Sequence, residues 1–238
     1  MQRYTDTLIS QKQLPLTENI KLNRTEEKFV DIYEYSNGEI KVDMQYAKAG
    51  IPFAIKTAYV RETVAKKLMQ AKGLLPQGYS FEIFDAWRPY EVQLGLFNAY
   101  RKRIVDNAKE VMTEQEITRR VCEFVSLPDK DKRVSFVHST GGAVDVTIVR
   151  PDGSRLDMGT EFDDFSPRSY TAWYEGGGDE QIKRNRRLLH NVLCSCGFTN
   201  YPAEWWHYDF GDPFWAFYMK KEAIYSSEYE EAEVKGKG

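Results

Sequence analysis

Residues 143–149, AVDVTIV, alternate in a way that predicts a β-strand. Val144, Val146 and Ile148 share one face, and Ala143, Asp145 and Thr147 share the other. A second strand is predicted at residues 81–85, FEIFD. Helical patterns lie around these strands. Residues 61–72, RETVAKKLMQAK, are rich in helix formers and stop at Gly73. Pro89 suits a first helical position, with YEVQLGLFNAYRKRIVDNA following it. Thr113 and Glu116 form a capping box ahead of ITRRVCEFV. Residues 179–196 form another helix, ending at Gly197. From about Lys220 the chain is charged with few apolar anchors, which predicts a helix fading into a disordered tail. The expected fold is α+β in a single domain over residues 1–238: a small central sheet, antiparallel at its centre, covered by helices.

Composition narrows the function classes. The chain is 42% hydrophobic and 29% charged, as in ordinary globular proteins. Its net charge of -3 gives no reason to expect a nucleic-acid or membrane partner. No apolar run reaches the length of a membrane span. The N-terminus lacks a basic region followed by an apolar one, so no secretion signal is expected. Three cysteines, Cys122, Cys194 and Cys196, cannot make a disulfide framework. A reducing cytoplasm is the expected home. Oligomeric state is not legible in the sequence.

The chain has three histidines, so each can be judged alone. His138 precedes a flexible turn, Ser139-Thr140-Gly141-Gly142, that enters the strand carrying Asp145. An aspartate between Val144 and Val146 needs a partner, a hydrogen-bond cage or a metal if buried. The competing reading is an exposed edge strand with Asp145 in water. His207, in the stretch EWWHY at 204–208, supplies a third possible ligand. Two histidines and an aspartate, with a fourth position open, match a catalytic zinc site. Glu204 is then a spare carboxylate, placed to take a proton from the attacking water. The competing reading of EWWHY is an aromatic strand packed on a helix. On a straight strand, positions i and i+3 face opposite ways. If Glu204 and His207 serve one metal, the backbone must turn between them. His190, in NRRLLHNVL, has no acidic neighbour and reads as a surface or packing residue. Cys194 and Cys196 lack a second cysteine pair and read as helix-end packing. Arg88, between a strand end and a helix start, is placed either to neutralise an oxyanion or to form a salt bridge.

Taken in order, these segments resemble the VanX-like D-alanyl-D-alanine dipeptidases, zinc enzymes related to the D,D-carboxypeptidases of bacterial walls. The segments are VDMQYA at 42–47, FDAWRP at 84–89, HSTGGAVD at 138–145, MGTEFD at 158–163, NRRLL at 185–189, GF at 197–198 and EWWHY at 204–208. The resemblance spans roughly residues 40–218 and leaves out the first forty residues and the Gly176-Gly177-Gly178 loop. It implies one zinc per chain held by His138, Asp145 and His207 at the sheet, Glu204 as general base and then proton donor, and Arg88 as oxyanion stabiliser. It further implies Asp163 as anchor for the substrate ammonium, Tyr46 as a lining residue, and D-Ala-D-Ala cleaved to two D-alanines. Such activity serves dipeptide salvage, wall turnover or glycopeptide resistance.

Two positions depart from the family pattern. Phe136 stands where the family often has a serine, with Ser135 one step back, which implies an altered dipeptide preference. Trp87 replaces a frequent tyrosine. Three rival readings accompany the dipeptidase: a D,D-carboxypeptidase or endopeptidase acting on longer wall peptides, a non-catalytic module binding metal or peptide, and a metal-free α+β protein.

Overall fold

The central sheet has an apolar face and a polar face, and the position of the site follows from that division. A computed structural model describes residues 2–22, 27–108, 110–132, 134, 136–229 and 234. Ser135 therefore lies outside the described residues. Along the chain run α1 (Gln2–Asp6), β1 (Phe29–Asp31), α2 (Ile32–Tyr35), β2 (Lys41–Val42), α3 (Gln45–Lys48), β3 (Tyr59–Arg61), α4 (Glu62–Lys72), β4 (Ser80–Asp85), α5 (Tyr90–Asp106), α6 (Glu114–Val121), β5 (Ala143–Val149), α7 (Glu180–Ser195), β6 (Thr199–Asn200), β7 (His207–Asp209) and α8 (Pro213–Met219). The architecture is α+β, as the sequence predicts.

Five strands form the main sheet in the order β2-β4-β5-β7-β6. Pairing is antiparallel from β4 through β6, and β2 joins the edge in parallel. A two-stranded antiparallel ribbon, β1 with β3, stands beside it. β5 is central and buried at every position, which rules out the exposed-edge reading of Asp145. Val144, Val146 and Ile148 join Ala65 and Leu68 of α4 and Leu189 and Val192 of α7 in one core cluster. Burying each such aliphatic side chain is worth about 1.5–3 kcal/mol, so this face anchors the fold. A smaller cluster of Phe97, Ile117, Val121 and Val125 joins α5 to α6.

Local signals account for the helix ends. Thr113 and Glu116 make the reciprocal capping box that starts α6. Asp179 caps α7 by accepting from the amides of Gln181 and Ile182. Pro89 is the N-cap of α5 rather than its first residue, with ψ of 151°. α4 stops at Gly73 with φ of -62°, so that glycine ends the helix without entering the left-handed region.

The stretch after Lys220 differs from the expected fading helix and solvated tail. α8 ends at Met219, and residues 221–229 contain no helix, with Ala223, Tyr225, Ser226 and Glu228 buried. The Ala223 amide donates to the Lys21 carbonyl at 2.8 Å. The Tyr225 ring fits because Gly211 has no side chain: a Cβ there would lie 2.4 Å from the ring. Apolar anchoring thus comes from Ala223, Ile224 and Tyr225 and a glycine distant in sequence, which composition does not reveal. Residues 230–233 and 235–238 of the expected tail lie outside the described residues. Among the described residues, no helix is long and apolar enough to cross a membrane.

Candidate active site

Asp85, Asp145 and His207 stand in one row across three neighbouring strands, Asp85 opposite Asp145 and Asp145 opposite His207. Directly paired residues project to the same side of a sheet. A bulge in β4 between Ile83 and Asp85 creates this row, since Ile83 pairs with Val146 but Asp85 pairs with Asp145. His138 enters from a buried 3-10 turn, Val137–Thr140, just before β5. All four residues of that turn are buried. Gly141 adopts φ of 71°, and a Cβ on Gly142 would sit 2.5 Å from the Phe210 carbonyl oxygen.

Donor atoms of His138, Asp145 and His207 all lie within 4.8 Å of one another, and all three residues are buried. His138 Nε2 is 3.2 Å from His207 Nδ1. His207 Nδ1 is 3.1 Å from one oxygen of Asp145, and His138 Nε2 is 3.5 Å from the other. Four ligands about a zinc ion at 2.0–2.1 Å would be roughly 3.3 Å apart. The opposite ring nitrogens are engaged elsewhere. His138 Nδ1 donates to the Ala86 carbonyl at 2.7 Å, and His207 Nε2 donates to Asp209 Oδ1 at 2.7 Å. These bonds turn a lone pair of each ring toward Asp145. Two lone pairs and a carboxylate converging in a dry place repel one another unless a cation joins them. The donor set therefore fits a metal ion.

The charge balance agrees. Burial works against an ionised Asp145, but His138 and His207 outweigh it and hold its carboxyl well below the usual range. Burial likewise opposes a charged His207, yet Asp209 and Asp145 draw its pKa upward. Both shifts have one cause: the carboxylates of Asp145 and Asp209 stabilise positive charge beside them.

The backbone does turn between Glu204 and His207. The Glu204 amide donates to the Tyr201 carbonyl at 3.1 Å, and the His207 amide donates to the Glu204 carbonyl at 3.4 Å. Asn200 holds this turn, its side-chain amide donating to the carbonyls of Glu204 and His207 at 3.0 and 2.9 Å. Glu204 Oε2 thereby comes 3.8 Å from His207 Nδ1. Its carboxyl is pushed up to about 8, by burial first and also by Asp145 and Asp163, against the pull of His207. Trp206 lines the same cavity, while Trp205 packs edge-on to it and donates to Thr160 Oγ1 at 2.8 Å.

Arg88 follows β4 and precedes α5. Its Nε donates to Asp85 at 2.8 Å, and one terminal nitrogen donates to Gln93 at 2.6 Å. The other terminal nitrogen lies 3.6 Å from Asp145 Oδ2. Asp163 is one of the few non-glycine residues with positive φ, at 60°. Its carboxylate accepts from the Tyr46 hydroxyl at 3.3 Å. Burial, then Asp145, pushes it up to about 7. Tyr46, Arg88, His138, Asp145, Asp163, Glu204 and His207 all line one cavity of about 310 Å³. Its other walls include Leu96, Val125 and Phe136.

Three supporting residues escape the sequence reading. Asp209 lies two positions past His207, so it shares that residue's face of the strand. Asp85 and Asn200 left no such signal, because a bulge and a turn place them. His190 and Cys194 lie apart from the cavity. Burial takes His190 down to about 4 and Cys194 up to about 11, in keeping with packing roles. All three cysteines are free thiols.

Comparison with known proteins adds a second line of observation. Residues 40–231 match the protein-family model Peptidase_M15, described as D-ala-D-ala dipeptidase. The D-alanyl-D-alanine dipeptidase of Synechocystis sp. is 34% identical over 191 residues, 72% of this chain and 77% of that protein. The protein of that name from Enterococcus faecium is 32% identical over 147 residues, 61% of this chain and 69% of its own length. One from Escherichia coli is 29% identical over 136 residues, 56% of this chain and 55% of its own length.

Proposed function

The chain belongs to the Peptidase_M15, D-ala-D-ala dipeptidase family, and on that premise we propose that it hydrolyses D-Ala-D-Ala to two D-alanines with one zinc ion held by His138, Asp145 and His207. The observation that carries this reading is the convergence of those three donor sets within 4.8 Å. Two imidazoles and one carboxylate suit zinc better than magnesium or calcium. Zinc held there supplies Lewis acidity, which makes water a nucleophile near neutral pH.

The remaining chemistry belongs to side chains. Glu204 accepts a proton from the attacking water and passes it to the departing amine. A buried carboxylate whose proton affinity lies near the working pH suits both halves of that transfer. Arg88 keeps its charge and is held by Asp85 and Gln93, so its guanidinium meets the developing oxyanion without reorganising. Asp163 receives the substrate ammonium, which supplies a counter-charge beyond the partial one from Arg88. Tyr46 orients that carboxylate. An ammonium anchor in the same cavity as the donor triangle favours short substrates with a free amino terminus. Free thiols fit a cytoplasmic location, where such a dipeptide would be met.

A hydrolysis assay over L- and D-dipeptides and a D-Ala-D-Ala-ended pentapeptide, with and without chelator, tests the reading. Chelator-sensitive cleavage of D-Ala-D-Ala above all others is expected. Preferred cleavage of the pentapeptide would favour a carboxypeptidase, and no cleavage of any substrate would favour a binding module.

A further inference from the structure

The two loops that carry Arg88 and His138 are joined to each other and to the C-terminal segment. The Arg88 amide donates to the His138 carbonyl at 3.3 Å. The neighbouring Trp87 is fully buried, and its indole N–H donates to the Glu228 carbonyl at 2.8 Å. The Glu228 amide donates to the Ser139 carbonyl at 2.8 Å. One peptide unit after another of the C-terminal segment thus bonds a residue adjacent to Arg88 and a residue adjacent to His138. Ser227 adds a hydroxyl contact to the Ser139 hydroxyl.

Arg61 ties the same parts from beneath. Its guanidinium is fully buried between the rings of Phe29 and Tyr225. Nε donates to the Thr140 carbonyl at 2.8 Å, at the end of the His138 turn. A terminal nitrogen donates to the Ser226 carbonyl at 3.3 Å and lies 3.8 Å from the Glu228 carboxylate. Tyr229 reaches the other side, with its ring against Tyr90 and Phe136 and its hydroxyl donating to the Lys132 carbonyl at 2.9 Å. Phe29 and Val234 close over Trp87.

We propose that residues 226–229 are a clamp that positions Arg88 and His138 relative to each other, acting through Trp87 and Ser139. None of these four residues lines the cavity. They work on the site through the loops they bond. The hydrogen bonds to those loops are mostly backbone or indole bonds in buried surroundings, where a lost partner leaves an unsatisfied group. A shift of about 1 Å in a reacting group can cost on the order of 10²-fold in rate. The clamp rests on the functional reading above in so far as Arg88 and His138 act in hydrolysis.

The test uses full-length Trp87→Phe, which keeps an aromatic ring but removes the donor to Glu228. Three quantities are measured: zinc transfer to a chromogenic chelator, kcat and KM for D-Ala-D-Ala, and amide hydrogen exchange in residues 86–88 and 138–141. Expected are zinc held roughly tenfold less tightly, kcat reduced ten- to a hundredfold with KM within about twofold, and faster exchange in both loops. Ser227→Ala should move the same readouts in the same direction, to a smaller degree, and it stands in if Trp87→Phe does not fold. Unchanged zinc retention and unchanged exchange in both loops would overturn the clamp. Because those two readouts need no turnover, they decide the clamp even if the parent protein proves inactive on D-Ala-D-Ala, a result that would count against the functional reading alone.

Discussion

Asp209→Asn isolates how much the proposed metal site depends on what lies behind its candidate ligands. Asp209 is fully buried and accepts from His207 Nε2 at 2.7 Å, a short charge-assisted bond. The change preserves side-chain shape and removes the negative charge. His207 then loses the group that fixes its tautomer and raises its basicity. Replacing such a partner typically costs 10- to 100-fold in metal affinity or activity. At about 1.4 kcal/mol per tenfold, that is roughly 1.4–2.8 kcal/mol. The assay is competition for zinc against a chelator of known affinity, followed by kcat/KM at rising free zinc. Weakened zinc binding is expected, with most of the lost activity recovered when zinc is in excess. Zinc affinity equal to that of the parent would refute the reasoning, since the 2.7 Å bond would then contribute nothing to the ligand.

Other perturbations probe separate parts of the structure. Asp163→Ala should raise KM for D-Ala-D-Ala far more than it lowers kcat, and should reduce the preference for dipeptides over longer peptides in paired assays. Gly142→Ala would place a Cβ 2.5 Å from the Phe210 carbonyl oxygen. A destabilisation of about 1–3 kcal/mol is expected, at roughly 2–4 °C of Tm per kcal/mol in a thermal melt. Buried His190 stays neutral in the folded protein down to about 4, whereas the unfolded chain takes up a proton below about 6.5. The unfolded state therefore binds more protons in that window, and stability falls as pH drops from 6.5 to 4 by up to about 3 kcal/mol from this residue. His190→Leu should flatten the urea-stability profile over that range, and an unchanged slope would show that the imidazole is not held neutral.

The legible parts of the molecule were those written in short local patterns. AVDVTIV gave a strand because its residues alternate between faces, though not whether that strand was buried, and the Thr113–Glu116 box gave a helix start because capping is written within four residues. The three candidate donors, His138, Asp145 and His207, and the nearby Glu204 could be singled out because they sit in compact, ordered segments. The turn between Glu204 and His207 could be anticipated from the geometry that two groups at i and i+3 must satisfy. What stayed hidden depends on distant parts of the chain. Asp85 joins the polar row only because a bulge shifts the register of β4. Residues 221–229 look solvated by composition, but Gly211, Lys21, Ser139 and Trp87 give them a place to lie. Charge counts see none of those partners.

The measurement that bears most directly on the proposed chemistry is turnover of D-Ala-D-Ala by Glu204→Ala, read beside its zinc content. Glu204 is 3.8 Å from His207 Nδ1 and is not one of the three donors. One zinc per chain should remain bound while kcat falls by about 10²–10⁴-fold. Near-parent turnover with zinc in place would contradict Glu204 as the proton carrier, and with it the assignment of this cavity as the site of hydrolysis.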